Sequence, residues 1–401
     1  MPADFLSHPF TPEETAEDHR RLRQQAQAFT SEHIAPLTAP MEARGPHTDH
    51  TVRAALAETG WLGVLLCNGW GGLALGHVAK TVILQVLAFT SPAAAAILQA
   101  SVLGAAPIAE FGSEEMQRAW LPEIAAGRCW PTIAVTEPGR GSHVLGIETT
   151  ARRSGRQYIL EGEKVLVGNA ALGDVHCVVA RTGKAGKANS LTAFLVEKGT
   201  LGLDIVPAPV NGLHGFSVDT VRLTRVCVPA THVIGHVGDG LAVAQHASVV
   251  YGRLNLAAVA LGTHQRLLQE TAQRVTTRPR YRGNLSDLDT VRHRIADMQH
   301  HLMTAELAAY HAAHLLDQGV PCDPWLHHAK LTAHRAGAAS CEHAKQLWGG
   351  HAARLGSTVE QFRRDFDLIH APAGPDDLQL IRLAEHILGP HRPHWSAHHT
   401  T

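Results

Sequence analysis

Three short stretches combine residue types suited to gripping an anionic or polarised ligand. In Thr136-Glu137-Pro138-Gly139-Arg140-Gly141-Ser142, hydroxyls flank glycines that let a backbone approach a ligand closely and leave N–H groups free for anionic oxygens. A second stretch opens on Arg278 and runs through Tyr281, Gly283 and Leu285 to Asp289; a permanently charged guanidinium offers several donors to an anion. The third, Gln346-Leu347-Trp348-Gly349-Gly350-His351, has paired glycines that permit a tight helix-to-loop turn, and Arg364-Asp365 follows it. Each has a plainer reading beside the functional one: a strand turn, a solvated basic turn and a helix ending.

Histidine is abundant, 29 of 401 residues, and occurs in pairs such as His300-His301, His327-His328 and His398-His399. None of these spacings matches a recognisable metal site, so no metal is expected. Exposed imidazoles would make the net charge climb below about pH 6.5. The six cysteines, Cys67, Cys129, Cys177, Cys227, Cys322 and Cys341, show no CxxC pair and read as reduced thiols.

The elements that must position these stretches change character twice along the chain. From Thr11 to about Ala126 the spacing of apolar residues is helical, with segments at Glu14 to His33 and Val52 to Trp61, and an almost wholly apolar helix from Ala93 to Phe111. Near Trp130 short β-rich runs begin: TIAVTEPG, QYILEGEKVLV, VHCVVART, LTAFLVE, LDIVPAPV and DTVRLTRVCVP, with an exposed loop at Gly183 to Lys187. Helical texture returns near Gly238, at Leu241 to Val275, Thr290 to Gln318, Pro324 to Leu347, Val359 to Leu368 and Asp376 to Leu388. The fold class expected is α+β, mainly α. It divides into a helical domain at 1–126, a β domain at 127–237 and a helical bundle with a His-rich tail at 238–401.

Charge is balanced, with 35 Lys and Arg against 36 Asp and Glu, and only 18% of residues are charged against 45% hydrophobic. That balance provides no basic surface for nucleic acid and no signature of disorder. No basic segment followed by an apolar run opens the chain, and Gln99, Ser101 and Pro107 interrupt its most apolar stretch, so no export signal or membrane span is expected and the cytoplasm is the expected compartment.

Together the three stretches, with Gly162-Glu163-Lys164 after the first, resemble the acyl-CoA dehydrogenase family of FAD flavoproteins across nearly the whole chain. Thr136 to Ser142 is similar to that family's TEPGxGSD segment, and the Gly-Glu-Lys to its NGEK turn. The resemblance implies FAD contacts from Thr136, Gly141 and Ser142 around the flavin. Arg278, in a segment similar to RxxFGxxIxxFQ, would reach the pyrophosphate of a neighbouring subunit's FAD, with Tyr281 of the same segment as a further cofactor contact. Gly283 lies one place late in that segment and Asp289 stands where Gln is usual. Gln346, Gly349 and Gly350, in the QxxGGxG-like turn, would approach the adenosine half. The fold implied is an N-terminal helical domain, a β-barrel or sandwich and a C-terminal four-helix bundle, assembled as a homodimer or homotetramer.

Mechanism is where the chain departs from the family. The family's catalytic Glu, carried across without a gap from Arg364-Asp365, falls on Ala373, followed by Gly374. The alternative Glu, immediately before an Arg on the bundle's first helix, falls on Gly252 before Arg253. Both positions lack the carboxylate, and general-base catalysis typically contributes about 10²–10⁴ in rate. The backbone N–H of Ala373 remains available to bond a thioester carbonyl, with Arg253 and Gly374 as substrate contacts. Asp376, Asp377 and His370 are nearby, with helix-end charge and packing as their plainer roles. On the flavin side Leu166-Val167-Gly168 replaces the usual Trp-Ile-Thr or Trp-Ile-Ser, removing a stacking ring at Leu166 and a hydroxyl at Gly168, and His143 replaces Asp.

The expected function is thus an FAD-dependent oxidoreductase acting on an unusual acyl-CoA or acyl-carrier-protein thioester in biosynthesis, with electrons leaving to an electron-transfer partner or O₂. A flavin oxygenase or oxidase on the same fold, and a catalytically silent acyl-binding homologue supporting a partner subunit, are the alternatives.

Overall fold

The structure is a computed structural model that describes residues 13–44, 48–389 and 393–398. Its first part is helical: α1 (Glu13–Phe29), α2 (Thr38–Glu42), α3 (Thr48–Ala57), α4 (Gly76–Thr90), α5 (Pro92–Phe111) and α6 (Glu114–Ala125). At the start of α5 the Ser91 hydroxyl accepts the Ala94 N–H at 3.2 Å, and Pro92 occupies the first turn, where its missing N–H costs nothing. Having no polar face, α5 is covered on nearly all sides. It is also the one helix among the described residues long and apolar enough to cross a membrane, and it lies packed inside the protein. The expected helix from Val52 to Trp61 stops at Ala57, because Gly60 turns the chain at φ 71°.

Strands β1 (Pro131–Ala134), β2 (Thr150–Ser154), β3 (Gln157–Gly168), β4 (Val175–Arg181), β5 (Leu191–Glu197), β6 (Leu203–Val206), β7 (Val218–Pro229) and β8 (Val233–Ile234) form one eight-stranded sheet. Its order is β6-β7-β3-β2-β4-β5-β8, with β1 added in parallel to β4. The long β3–β7 pair is bulged twice, and the second bulge, between Lys164 and Val167, turns Leu166 out of the ladder. Only Leu203–Val206 of the expected LDIVPAPV strand pairs; the two prolines beyond it cannot donate to a ladder.

The last part begins with α7 (Gly240–His246), which runs through a π-helical stretch, Ala247–Gly252, into α8 (Arg253–Thr277). After a two-stranded hairpin of β9 (Pro279–Arg280) and β10 (Gly283–Asn284) come α9 (Asp289–Asp317), α10 (Asp323–Trp348), α11 (Thr358–His370) and α12 (Asp376–Leu388). Helix α8 packs on α9 and α10 and also on α4, so first and last parts share one core. The α4–α8 crossing is close enough that a Cβ on Gly262 would lie 2.1 Å from the Gln85 carbonyl oxygen.

Candidate active site

The Thr136–Ser142 turn is built around a buried ion pair. Lys164 Nζ donates to Glu137 Oε1 at 2.8 Å and to the Val135 carbonyl at 3.0 Å, with both charged side chains almost fully covered. Glu137 also accepts the N–H groups of Glu148 and Thr149 at 2.6 and 2.9 Å. Burial raises the Glu137 carboxyl, but Lys164 and these donors outweigh it and the net shift is downward; burial brings Lys164 down to about 8. The two motifs that sequence reading found separately, TEPGRGS and Gly-Glu-Lys, are therefore two halves of one fastening. Beyond it the turn is open: a Cβ added at Gly139 or Gly141 would meet nothing within 4 Å. Beside it, Leu166 holds φ 55° with 57% of its surface exposed. At Gly168 a Cβ would lie 2.7 Å from Phe216 Cζ, so the ring fills the place where a hydroxyl-bearing side chain would stand.

The two positions inferred from sequence as those of a base meet in space. A Cβ built on Gly252 would lie 3.1 Å from Ala373 Cβ and 3.8 Å from Leu103 Cδ1. Gly252 ends the π-helical stretch, a distortion that often marks functional sites. Ala373 is held at φ 55°, unusual for a residue with a side chain, by a clasp. In it, Gln379 Nε2 donates to the carbonyls of Ala373 and Gly374 at 3.1 and 2.7 Å, and Lys330 Nζ donates to those of Gly374 and His370 at 2.6 and 2.7 Å. Burial lowers Lys330 to about 7. Gln379 Oε1 in turn accepts from Arg253 Nε at 2.8 Å and contacts His327 Nδ1 at 2.7 Å. Neither Gln379 nor Lys330 was singled out from sequence, since nothing in local spacing reveals that they span the loop.

A cavity of about 600 Å³ opens beside this clasp, lined among others by Ser142, His143, Gln245, Arg253, His327 and Arg382. Asp376 and His370 are close to the clasp, whose Lys330 donates to the His370 carbonyl. Asp376 Oδ1 is 3.0 Å from His334 Nδ1 and 3.6 Å from His370 Nδ1, while Arg335 Nε holds Oδ2 at 3.0 Å. Three metal-type donors thus gather within 4.8 Å of one another, a trio that spacing did not suggest, with a guanidinium already on the carboxylate. Arg364 and Asp365 fasten domains: Arg364 pairs with Glu42 and Glu360, and Asp365 accepts the Leu213 N–H at 2.6 Å.

Comparison with known proteins matches the acyl-CoA dehydrogenase N-terminal domain to residues 16–128, the middle domain to 132–226 and the C-terminal domain to 238–388. The chain belongs to the acyl-CoA dehydrogenase family. An acyl-CoA dehydrogenase of Bacillus subtilis (strain 168) is 26% identical over 370 residues, 92% of this chain and 97% of the relative. Two solved structures share the fold. The prolyl acyl carrier protein oxidase AnaB has a TM-score of 0.86 at 23% identity, covering 95% of this chain and 100% of its own. The FAD complex of PigA has 0.87 at 24%, covering 92% and 97%.

Acyl-CoA dehydrogenases are FAD-dependent oxidoreductases. The open face over Gly139 and Gly141, beside an apolar Leu166 turned outward, fits a flat cofactor lying against the turn. The other sequence-inferred contacts lie elsewhere. Arg278 ends α8, Tyr281 is 85% exposed on the following hairpin, and Gln346, Gly349 and Gly350 are exposed at the end of α10. Leu347 and Trp348 pack with Val275 and Leu285, and Arg274 stacks over Trp348 at 4.6 Å, so these two groups share one end of the bundle. Gly252 stands at the opposite end of the 25-residue α8, about 38 Å away at 1.5 Å per residue. One chain does not bring all the inferred contacts around one cofactor.

Proposed function

We propose that this protein oxidises an acyl thioester, carried on CoA or an acyl-carrier protein, in a pocket that has vacated both positions from which its family draws a catalytic carboxylate. The observation that carries the reading is the meeting of Gly252 and Ala373: two positions far apart in sequence face one point, and neither bears a proton acceptor. Bound FAD supplies the hydride acceptor for the substrate β-hydrogen. The chain's own part is to present the Ala373 N–H to the thioester oxygen, to hold the loop with Gln379 and Lys330, and to enclose the acyl group beside Arg253. Stabilising a developing enolate oxygen in this way acidifies the α-proton, which then leaves to a group other than a glutamate at either position.

A second copy of the chain completes the cofactor site in this proposal, because Arg278, Tyr281, Gln346, Gly349 and Gly350 lie at the far end of α8 from Gly252. Biosynthetic use of a carrier-bound substrate is supported by the likeness to a prolyl acyl carrier protein oxidase. An oxidase reading, with O₂ as electron acceptor, is favoured specifically by the exposed Leu166 and the Phe216 ring at Gly168, which leave the expected flavin edge without its usual indole and hydroxyl.

Anaerobic spectroscopy of the purified holoprotein tests the proposal. A thioester substrate should bleach the bound flavin, and air should restore it slowly for a dehydrogenase or within the mixing time for an oxidase. Flavin that stays oxidised with acyl-CoA and acyl-carrier thioesters alike would refute oxidation and leave acyl binding without turnover.

A further inference from the structure

Ala373 and Gly374 sit in a short loop, residues 371–375, between His370, the last residue of α11, and Asp376, the first of α12. Beside both stands His334 of α10. Its ring lies 4.8 Å from that of His370, centroid to centroid, and its Nδ1 lies 3.0 Å from Asp376 Oδ1. His370 Nδ1 is 3.6 Å from the same oxygen, beyond hydrogen-bond distance, and is buried without a hydrogen-bond partner. A buried ring nitrogen left unbonded costs free energy, and native folds seldom keep one without a use. A hydrogen-bonded pair that merely places a carboxylate at the start of α12 would explain His334 and Asp376, but not His370 Nδ1.

The separations are those of ligands around a small cation. Zn²⁺ bound tetrahedrally at about 2.0–2.1 Å from each nitrogen and oxygen holds its ligand atoms about 3.3–3.4 Å apart. The two imidazole-to-carboxylate distances, 3.0 and 3.6 Å, bracket that value, and all three donor atoms lie within 4.8 Å of one another. Arg335 Nε holds Oδ2 at 3.0 Å, which leaves Oδ1 as a one-oxygen ligand and is the sort of outer contact that orients ligating carboxylates. The Arg335 side chain is 52% exposed, so water weakens its repulsion of a bound cation. Lys330, the other basic group beside the trio, directs its Nζ to the carbonyls of His370 and Gly374.

We propose that His334, His370 and Asp376 bind a borderline divalent cation, Zn²⁺ or one of its class, with water in the fourth position. Two neutral imidazoles and a carboxylate suit such an ion, whereas Mg²⁺ and Ca²⁺ take oxygen ligands. Rotation of the partly exposed His370 ring closes the remaining gap. The ion ties α10 to both ends of loop 371–375 and so fixes the segment that carries the Ala373 N–H. It takes no part in electron or proton transfer, and the site stands independently of the thioester reading above.

Chelator-stripped, FAD-loaded protein titrated with Zn²⁺ should bind one ion per chain at this site with a Kd of about 1 μM or below. His370→Ala, His334→Ala and Asp376→Asn should each weaken that binding at least about a hundredfold, because losing a ligand costs more than the 10–100-fold that outer contacts contribute. His300→Ala, at an exposed position of α9, should leave it unchanged. A site of that affinity that survives any one of the three substitutions, or that is lost in His300→Ala, overturns the proposal, as does the absence of any binding tighter than about 100 μM. Should His334→Ala or Asp376→Asn fail to fold, His370→Ala at its partly exposed position decides. Hydrogen exchange of the amides in 371–375, followed by mass spectrometry, should slow on Zn²⁺ loading of the wild type and not of His370→Ala; tight binding without slower exchange would overturn the fastening of the loop. None of these readouts needs flavin reduction, so failure of the oxidation reading leaves them unchanged.

Discussion

Replacing Ala373 by Glu should give the pocket a proton acceptor where it now has a methyl group. A positioned base is worth about 10²–10⁴ in rate, so anaerobic stopped-flow bleaching of the flavin by butyryl-CoA should accelerate at least a hundredfold in Ala373→Glu. Gly252→Glu should do the same from the other wall. Its backbone is helical at φ −59°, and its new Cβ would need Ala373 Cβ, 3.1 Å away, to give by a few tenths of an ångström. The double variant is the sharper test. Two carboxylates about 4 Å apart in a partly buried site repel by about 4 kcal/mol, equivalent to about three pKa units. One of the pair should then titrate near neutrality, and the rate below that pH should fall short of the product of the two single gains. If each single variant keeps its FAD and melting temperature but shows no acceleration, the assignment of the base positions fails. Two carboxylates titrating independently would refute their convergence.

Lys164→Met should cost about 3–5 kcal/mol in chemical denaturation by stranding the buried Glu137, and Glu137→Gln in the same chain should recover part of it. Gly168→Ser should destabilise the protein because its Cβ meets the Phe216 ring at 2.7 Å, and Phe216→Ala should relieve the clash; equal stability of Gly168→Ser in both backgrounds would exclude it. Burial depresses His264 to about 3, below its unfolded value of 6.5, so its contribution to stability is complete above pH 6.5 and is lost as pH falls toward 3. Denaturation of the wild type should accordingly lose about 2 kcal/mol through this group by pH 5, and His264→Leu should show a correspondingly shallower dependence between pH 7 and pH 5. Asp365 runs the other way: burial raises it to about 7, so its contribution is complete below 3.8 and is lost as pH rises through 7; Asp365→Asn should steepen the acid loss.

Much of the fold was legible because it rests on periodicity. The long helices α5, α9 and α10 declare themselves by apolar spacing, and the six β-rich runs each contributed a strand. Strands β2 and β8 escaped, since TARRS is polar on its outer positions and Val233–Ile234 is too short to show alternation. The π-helical stretch before Arg253 also escaped: Ala247–Gly252 carries no local signal for a π-turn within a continuous helix.

The amino-acid sequence determined the chain's family resemblance and the absence of a carboxylate at Ala373 and Gly252, because motif order and residue identity are one-dimensional facts. Only the tertiary structure decided that these two vacancies face each other, that Glu137 and Lys164 of separate motifs are one ion pair, and that Arg253 is buried with an unpaired Nη1 beside a cavity. Distance, burial and hydrogen-bond satisfaction depend on which remote segments the packed core brings together. Gln379, 126 positions from Arg253, shows it most directly: its role as the bridge between that guanidinium and the Ala373 loop exists only once α8 and α12 are in place.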